Sequence, residues 1–268
     1  QRAVRHVEEF DRQSVSNTVW AYATLDVCNE ELFAVFGDYT VRSGLWRTFT
    51  PQMASNLLWA YAKVGITITV LFDTFAEYIA MKADDLDTQN ISNMAWAYAM
   101  AQLPSKGVFD TLYRLASRRL DAFRLEELCG LLWAFAKAKV DSPIFTQAID
   151  ILLPRVSTLD PQSVSNLIWV LATAAHTRGS QVEGAQQLFD ALLGLMLDMR
   201  VKVDSEGAAQ VIWAFWRVGR FDDSFTLFVR TLSDGRHPEH GKTGYTKKHA
   251  VDGRQRYYQT LLMETERR

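Results

Sequence analysis

The fold of this chain is decided by residues 50–65, which read TPQMASNLLWAYAKVG. Related stretches surround the following residues: Trp20, Trp59, Trp96, Trp133, Trp169 and Trp213. Successive tryptophans in this series lie 39, 37, 37, 36 and 44 residues apart. A period of this length predicts a stack of about six equivalent supersecondary units.

Each unit is expected to be a helical hairpin. A residue type that caps helix N-termini stands nine positions before most of the tryptophans: Asp11, Thr50, Asp87, Asp160 and Asp204. Pro51 and Pro161 then occupy the first helical position, where a missing N–H costs nothing. A second apolar stretch follows, with a phenylalanine 12, 13 or, in the fifth unit, 20 residues after the tryptophan: Phe33, Phe72, Phe109, Phe145, Phe189 and Phe225.

Helical hairpins of this size cannot bury their apolar faces alone, so they stack on one another. The sequence therefore predicts an all-α fold, an α-solenoid of about six helical-hairpin repeats of 36–44 residues, over residues 1–234. Residues 235–268 break the repeat, and we expect a basic, extended tail there, in which residues 254–263 are a candidate capping helix.

Small residues adjoin the tryptophans, as Ala60 adjoins Trp59 and Ala97 adjoins Trp96. Small side chains let neighbouring helices approach closely, and a large indole would then fill the remaining gap. We therefore expect the tryptophan series to pack in the core and not to stack on a ligand.

The composition excludes several classes of protein. With 48% hydrophobic and 22% charged residues, the chain is a folded globular protein and not a disordered one. Its apolar runs fall short of the roughly 20 residues that span a bilayer, so we expect no membrane insertion. Cys28 and Cys129 lie too far apart in sequence to form a metal motif, and no nucleophile stands at motif spacing from a base. We therefore expect a protein that is not an enzyme and uses neither a cofactor nor a metal.

The repeat resembles a known family. Its pattern of Pro-Gln, Asn and Trp-Ala, clearest at residues 50–65 and 160–169, is similar to the octotricopeptide repeat, whose relatives include FAST-kinase-like and RAP-domain proteins. The resemblance implies an RNA-binding protein of an organelle, a mitochondrion rather than a plastid, that acts in RNA maturation, stability or translation. It also implies a place in an organellar ribonucleoprotein such as the ribosome, with single-stranded or ribosomal RNA and protein subunits as partners. The sequence departs from the family pattern in two ways. The fourth unit has Glu126 and Gly130 where most other units have Gln and Asn, and no RAP-like C-terminal domain is recognisable in the sequence.

Two rows of side chains along the tryptophan helices are candidates for contact with RNA or another partner. The first is the asparagine three residues before the tryptophan: Asn17, Asn56, Asn93 and Asn166. The second is a variable position four residues after it, which is basic in three units: Lys63, Lys137 and Arg217. Amides hydrogen-bond base edges and basic groups hold phosphates, but a mid-helix asparagine that hardly varies also suits a bond to the neighbouring repeat.

The charge distribution leaves a second function open. Residues 235–268 carry eight basic and four acidic side chains, +4, so the formal charge of −2 leaves −6 on residues 1–234. An acidic solenoid attracts RNA poorly except along a local basic strip, for which Arg114, Arg118 and Arg119 are candidates, or through the tail. The candidate binding residues of the tail are Lys242, Lys247 and Lys248. The alternative function is a protein–protein scaffold subunit of a large organellar complex.

Overall fold

The computed structural model describes residues 6–178, 184–197, 205–219 and 222–233. This part of the chain is all-α, and the predicted repeats are confirmed as six helical hairpins. The twelve α-helices of the described part are α1 Arg12–Thr24, α2 Glu30–Arg42, α3 Pro51–Lys63, α4 Thr69–Met81, α5 Thr88–Met100, α6 Lys106–Ala116, α7 Leu125–Lys137, α8 Ile144–Leu152, α9 Pro161–Arg178, α10 Ala185–Leu197, α11 Ser205–Val218 and α12 Asp223–Ser233. The predicted tail, with Lys242, Lys247 and Lys248, lies outside the described residues.

The chain divides into two compact units, Gln1–Ile151 and Leu152–Arg268. In the first unit, α1, α3, α5 and α7 pack side by side in one layer, and α2, α4 and α6 pack in a second layer. In the second unit, α9 packs against α11 and α10 packs against α12. The helices that carry the tryptophan motif therefore share the first layer within each unit.

The predicted helix starts are confirmed where the structure describes them. Asp11, Thr50, Asp87 and Asp160 each accept a hydrogen bond from the backbone N–H three residues later, at N···O distances of 2.7–3.3 Å. Pro51 begins α3 and Pro161 begins α9. Because these bonds satisfy N–H groups that have no partner within the helix, they fix where each first-layer helix begins. The predicted cap Asp204 lies outside the described residues.

The first-layer helices end in a left-handed residue six positions after the tryptophan. This position has φ between +52° and +75° in five repeats, at Asp26, Gly65, Gln102, Lys139 and Gly219. In the first four repeats the next residue donates its N–H to the carbonyl five residues earlier, as Leu103 does to Tyr98. This is the Schellman arrangement, which ends the helix and turns the chain toward the second layer.

Aromatic pairs between successive repeats form the centre of the core. Tyr61 lies edge-to-face on Phe33 of the preceding repeat, with ring centroids 4.9 Å apart, and Tyr98 lies in the same way on Phe72, at 5.3 Å. Each tyrosine also donates its hydroxyl hydrogen to the backbone carbonyl of the phenylalanine that it contacts, at 2.7 and 2.6 Å. The corresponding pairs without a hydroxyl are Phe109 with Phe135 and Phe189 with Phe215.

The six phenylalanines that the sequence places in the second helices are all buried. Four of these phenylalanines contact an aromatic residue of the next repeat, the one two positions after its tryptophan. The core of each unit is therefore a row of interlocked aromatic rings between the two layers.

Buried serines tie neighbouring first-layer helices to each other. The hydroxyl of Ser16 donates to the carbonyl of Met53 at 3.1 Å, and that of Ser92 donates to the carbonyl of Glu127 at 2.8 Å. Ser55 links α3 to α5 in another way, since its hydroxyl accepts a hydrogen bond from the amide of Asn90. The residue that bonds to the neighbouring repeat is thus the serine four positions before the tryptophan.

Candidate functional site

The first layer of unit 1 has a half-exposed surface on which the tryptophans lie. An α-helix turns about 100° per residue, so the positions seven and three before each tryptophan and four after it lie within about 60° of the indole. We call this surface the indole–amide face; its residues are Gln13, Asn17, Trp20, Thr24, Gln52, Asn56, Trp59, Lys63, Gln89, Asn93, Trp96, Met100, Glu126, Gly130, Trp133 and Lys137.

The expectation that the tryptophans pack inside the core is wrong. Trp59, Trp96 and Trp133 are only half-buried, and Trp20 is 44% exposed. The fully buried positions lie on other sides of the same helices. They are the apolar residue one before the tryptophan, as at Leu58, and in the second to fourth repeats the aromatic residue two after it. The sequence contained this signal, because the tryptophan is closer in helical angle to the polar asparagine than to that aromatic residue.

The indoles of adjacent repeats lie beside each other on this face. The ring centroids of Trp59 and Trp96 are 6.2 Å apart, with an angle of 31° between the ring planes. The side-chain amine of Lys137, from the predicted variable row, lies 5.9 Å from the ring centroid of Trp133, where a cation is attracted to the ring face. The face thus presents flat aromatic surface with a basic group near one end.

The asparagine amides on this face are available to a ligand. Asn56 and Asn93 are half-buried, and their side chains hydrogen-bond to no other residue that the structure describes. The alternative expectation, that the asparagines bond to the neighbouring repeat, is therefore wrong for these two repeats, where serines make those bonds. An amide that is partly removed from water without a partner gains most from a ligand that supplies one.

The second unit has a shorter version of the same arrangement. Trp169 and Trp213 have ring centroids 6.0 Å apart, and the guanidinium of Arg217 lies 5.8 Å from the ring of Trp213. Asn166 accepts a hydrogen bond from Gln162, at 3.1 Å. At the asparagine position of the last repeat, the oxygen Oε1 of Gln210 is buried and, like Nε of Arg217, has no hydrogen-bond partner among the described residues.

A pocket of about 270 Å³ opens on the indole–amide face where α3, α5 and α7 meet. It is lined by Trp59, Gln89, Ser92, Asn93, Trp96, Arg124, Glu126, Glu127 and Gly130. Gly130 stands where the other repeats of unit 1 have asparagine, so the pocket opens where a side chain is missing. A Cβ at Gly130 would meet the Ser92 hydroxyl oxygen at 3.2 Å, so the glycine also lets α5 and α7 approach closely.

One ion pair forms a fixed wall of this pocket. Oε1 of Glu127 accepts a hydrogen bond from Nε of Arg124 at 2.7 Å and lies 2.6 Å from Nη2, and Oε2 accepts from the Arg124 backbone N–H at 3.2 Å. Glu127 is 9% exposed, so this pairing satisfies a carboxylate that has been removed from water. The hydrogen bond that Arg124 donates to Glu127 raises the pKa of Arg124, which keeps the guanidinium charged.

The predicted basic residues are distributed over both layers. Arg114 and Arg118 are exposed in the last turn of α6 and just beyond it, in the second layer, where Arg119 donates to the carbonyl of Leu115. Arg124, which the sequence places near this strip, is instead engaged by Glu127 in the pocket of the first layer. On the indole–amide face, Lys63 pairs with Asp26 at 3.2 Å.

Two searches of the described residues bear on other kinds of function. No helix among residues 6–178, 184–197, 205–219 and 222–233 is long and apolar enough to cross a membrane. The same residues contain no group of three or more His, Cys, Asp or Glu side chains placed to hold a metal ion.

A comparison with protein families gives one informative match. Residues 1–179 match the family described as RNA-editing substrate-binding complex 6 protein, RESC6. No curated protein matches the chain significantly. The matched residues include the whole indole–amide face and its pocket.

Proposed function

Since the chain belongs to the RNA-editing substrate-binding complex 6 family, we propose that it is a non-catalytic subunit of an assembly that holds the RNA substrate of editing. In this proposal the subunit contacts single-stranded RNA through the indole–amide face. Both the family and the resemblance to octotricopeptide repeats favour a role in an organelle, and we propose the mitochondrion. The family description favours an editing assembly over the ribosome, and RNA under editing over ribosomal RNA.

The observation that carries this proposal is that partly exposed indoles lie beside amides whose side chains have no hydrogen-bond partner among the described residues. Proteins that read single-stranded RNA stack bases on aromatic rings and hydrogen-bond to their edges. Stacking one base on an aromatic side chain is worth about 1–3 kcal/mol. Trp59, Trp96 and Trp133, with Asn56 and Asn93 beside them, supply both kinds of contact at the spacing of adjacent helices.

The charge of the repeats supports the scaffold as a second candidate function. Residues 1–234 carry a formal charge of −6 from the sequence count, and such a surface repels a polyanion at long range. A protein partner would meet no such penalty. The two functions are compatible in one subunit of a complex, but only the first requires that the isolated chain bind RNA.

The experiment is an RNA-binding titration of the full chain by fluorescence anisotropy with a mixed-sequence single strand. We compare the wild type with the double variant Trp59→Leu/Trp96→Leu, which removes the flat rings and retains apolar bulk. Loss of one or two base stacks is expected to weaken binding by about fivefold or more, with little change in salt dependence because no charge is removed.

The matched control is the double variant Arg114→Gln/Arg118→Gln, which removes two exposed charges from the second layer. We expect this variant to bind RNA about as tightly as the wild type. The opposite pattern, with binding and salt dependence lost in the arginine variant and kept in the tryptophan variant, would place RNA on the basic strip. Absence of RNA binding by the folded wild type would favour the protein scaffold.

A further inference from the structure

We infer that the pocket between α3, α5 and α7 binds one nucleobase that carries an exocyclic amino group, and that it disfavours uracil. Adenine, cytosine and guanine carry such a group, and uracil does not. This inference deepens the proposed function and rests on it, since the base is taken to belong to single-stranded RNA that lies on the indole–amide face.

The size and walls of the pocket suit a single flat ring. Its volume of about 270 Å³ is just below the roughly 300–1,000 Å³ of pockets for drug-sized ligands. The half-buried indoles of Trp59 and Trp96, 6.2 Å apart, make one side of it aromatic. A nucleobase that slides onto this wall would stack on an indole and leave its sugar and phosphate outside.

Half of the polar side chains that line the pocket already have hydrogen-bond partners. The Glu127 carboxylate accepts two hydrogen bonds from Arg124 and pairs with its guanidinium, and the Ser92 hydroxyl donates to the Glu127 carbonyl. The side chains of Gln89, Asn93 and Glu126 hydrogen-bond to no other described residue. A ligand therefore meets two amides, which both donate and accept, and one exposed carboxylate.

The carboxylate of Glu126 provides the selectivity. An ionised carboxylate only accepts hydrogen bonds, so it pairs with an amino group of a base, as glutamate does with the N4 amino group of cytosine. Uracil has a carbonyl oxygen at that position, and two acceptors facing each other repel. The one donor on that edge of uracil, N3–H, lies between two carbonyl oxygens that also repel a carboxylate. Glutamine occupies the equivalent position in four other repeats, at Gln13, Gln52, Gln89 and Gln162, and the last repeat has Glu206. Within unit 1 the selectivity is therefore a property of this repeat.

A cationic side chain from a protein partner is the competing occupant, because indoles and a carboxylate also attract an ammonium or guanidinium group. The base is favoured for two reasons. The Arg124 guanidinium lines the same pocket and already interacts electrostatically with both Glu127 and Glu126, so a second cation would gain less from either carboxylate. The amide of Asn93 offers a donor beside an acceptor, and a cation uses only the acceptor.

The test measures binding of the full chain to fluorescein-labelled 12-nucleotide oligo(C) and oligo(U), which differ in the amino and carbonyl groups of the base. We expect oligo(C) to bind at least about fivefold more tightly than oligo(U). In Glu126→Gln, which introduces the residue of the other repeats of unit 1, this ratio is expected to fall below about twofold, because glutamine also donates. The control Glu77→Gln removes one exposed carboxylate from α4, in the second layer, and should keep the wild-type ratio.

The possible outcomes separate this inference from the proposed function. Equal binding of oligo(C) and oligo(U) by the wild type, or an unchanged ratio in Glu126→Gln, would overturn the inference and leave RNA binding intact. Failure of both oligonucleotides to bind would remove the proposed function as well. Binding of an octa-arginine peptide that depends on Glu126, without RNA binding, would assign the pocket to a basic protein. Displacement of oligo(C) by an equal concentration of free CMP would assign it to a free nucleotide.

Discussion

Replacing Tyr98 with phenylalanine removes one hydroxyl group between the second and third repeats and leaves the ring in place. That hydroxyl donates to the Phe72 carbonyl at 2.6 Å in a fully buried setting. The edge-to-face contact of the two rings, at 5.3 Å and 90°, does not need the hydroxyl and is expected to persist. Because Phe72 lies inside α4, its carbonyl retains a helical hydrogen bond and is not left without a partner.

The expected cost is therefore that of one net hydrogen bond, about 0.5–1.5 kcal/mol. Urea unfolding followed by circular dichroism measures this difference as a shift of the midpoint at constant slope. The fourth repeat offers the reverse change. Phe135 lies on Phe109 at 5.0 Å and 90° but has no hydroxyl, so Phe135→Tyr should gain about the same free energy. Equal stability of Tyr98→Phe and the wild type would refute the role of these bonds, as would destabilisation by both changes.

Three further predictions concern the ends of the helices, the dependence of stability on pH, and the indole–amide face. Gln102 has φ of +55°, so Gln102→Gly should stabilise the fold by about 1 kcal/mol. Gly65 has φ of +75°, so Gly65→Ala should destabilise it by a similar amount. Urea unfolding measures both changes. Burial raises the pKa of Tyr78 from 10.0 to about 12. As the pH rises, the tyrosine of the unfolded chain therefore loses its proton before that of the folded chain. The free energy of unfolding should fall between pH 10 and 12, and fall less in Tyr78→Phe. Trp96→Ala should lower the free energy of unfolding by about 1–2 kcal/mol, less than the roughly 3–5 kcal/mol expected for a fully buried indole. A larger loss of stability in thermal unfolding would mean that Trp96 packs in the core.

The repeat and its helix boundaries could be predicted because each rests on local chemistry. The spacing of the tryptophans, the capping residues such as Asp87 and the proline at position 51 act within one turn of helix. The buried phenylalanines also follow from periodicity. The division of the chain after Ile151 has no such marker, since the 36-residue spacing from Trp133 to Trp169 continues across it.

The candidate site was harder to predict because it depends on contacts between repeats. The sequence pattern gives equal reason to assign Asn93 or Ser92 to the bond with the next repeat, and only the packing of α5 against α7 selects the serine. The pocket arises from a missing side chain at Gly130 and an ion pair between Arg124 and Glu127. In the sequence Gly130 is a departure from the repeat and nothing marks the ion pair, because the role of both depends on which helices they face.

The left-handed helix ends were missed for another reason. Glycine marks such positions at Gly65, but Asp26, Gln102 and Lys139 do the same in neighbouring repeats. A position that accepts four residue types has no sequence signature, and its conformation is imposed by the hydrogen bond that closes the helix.

The central claim is that single-stranded RNA lies on the indole–amide face, and ultraviolet crosslinking of the full chain to a mixed-sequence RNA tests it most directly. Mass spectrometry of the digested complex identifies the peptides that bear nucleotide adducts. The account predicts adducts on the tryptophan-bearing helices of unit 1, above all residues 88–100 and 125–137, which flank the pocket. Adducts confined to the second-layer peptide with Arg114 and Arg118, or to residues 235–268, would contradict it.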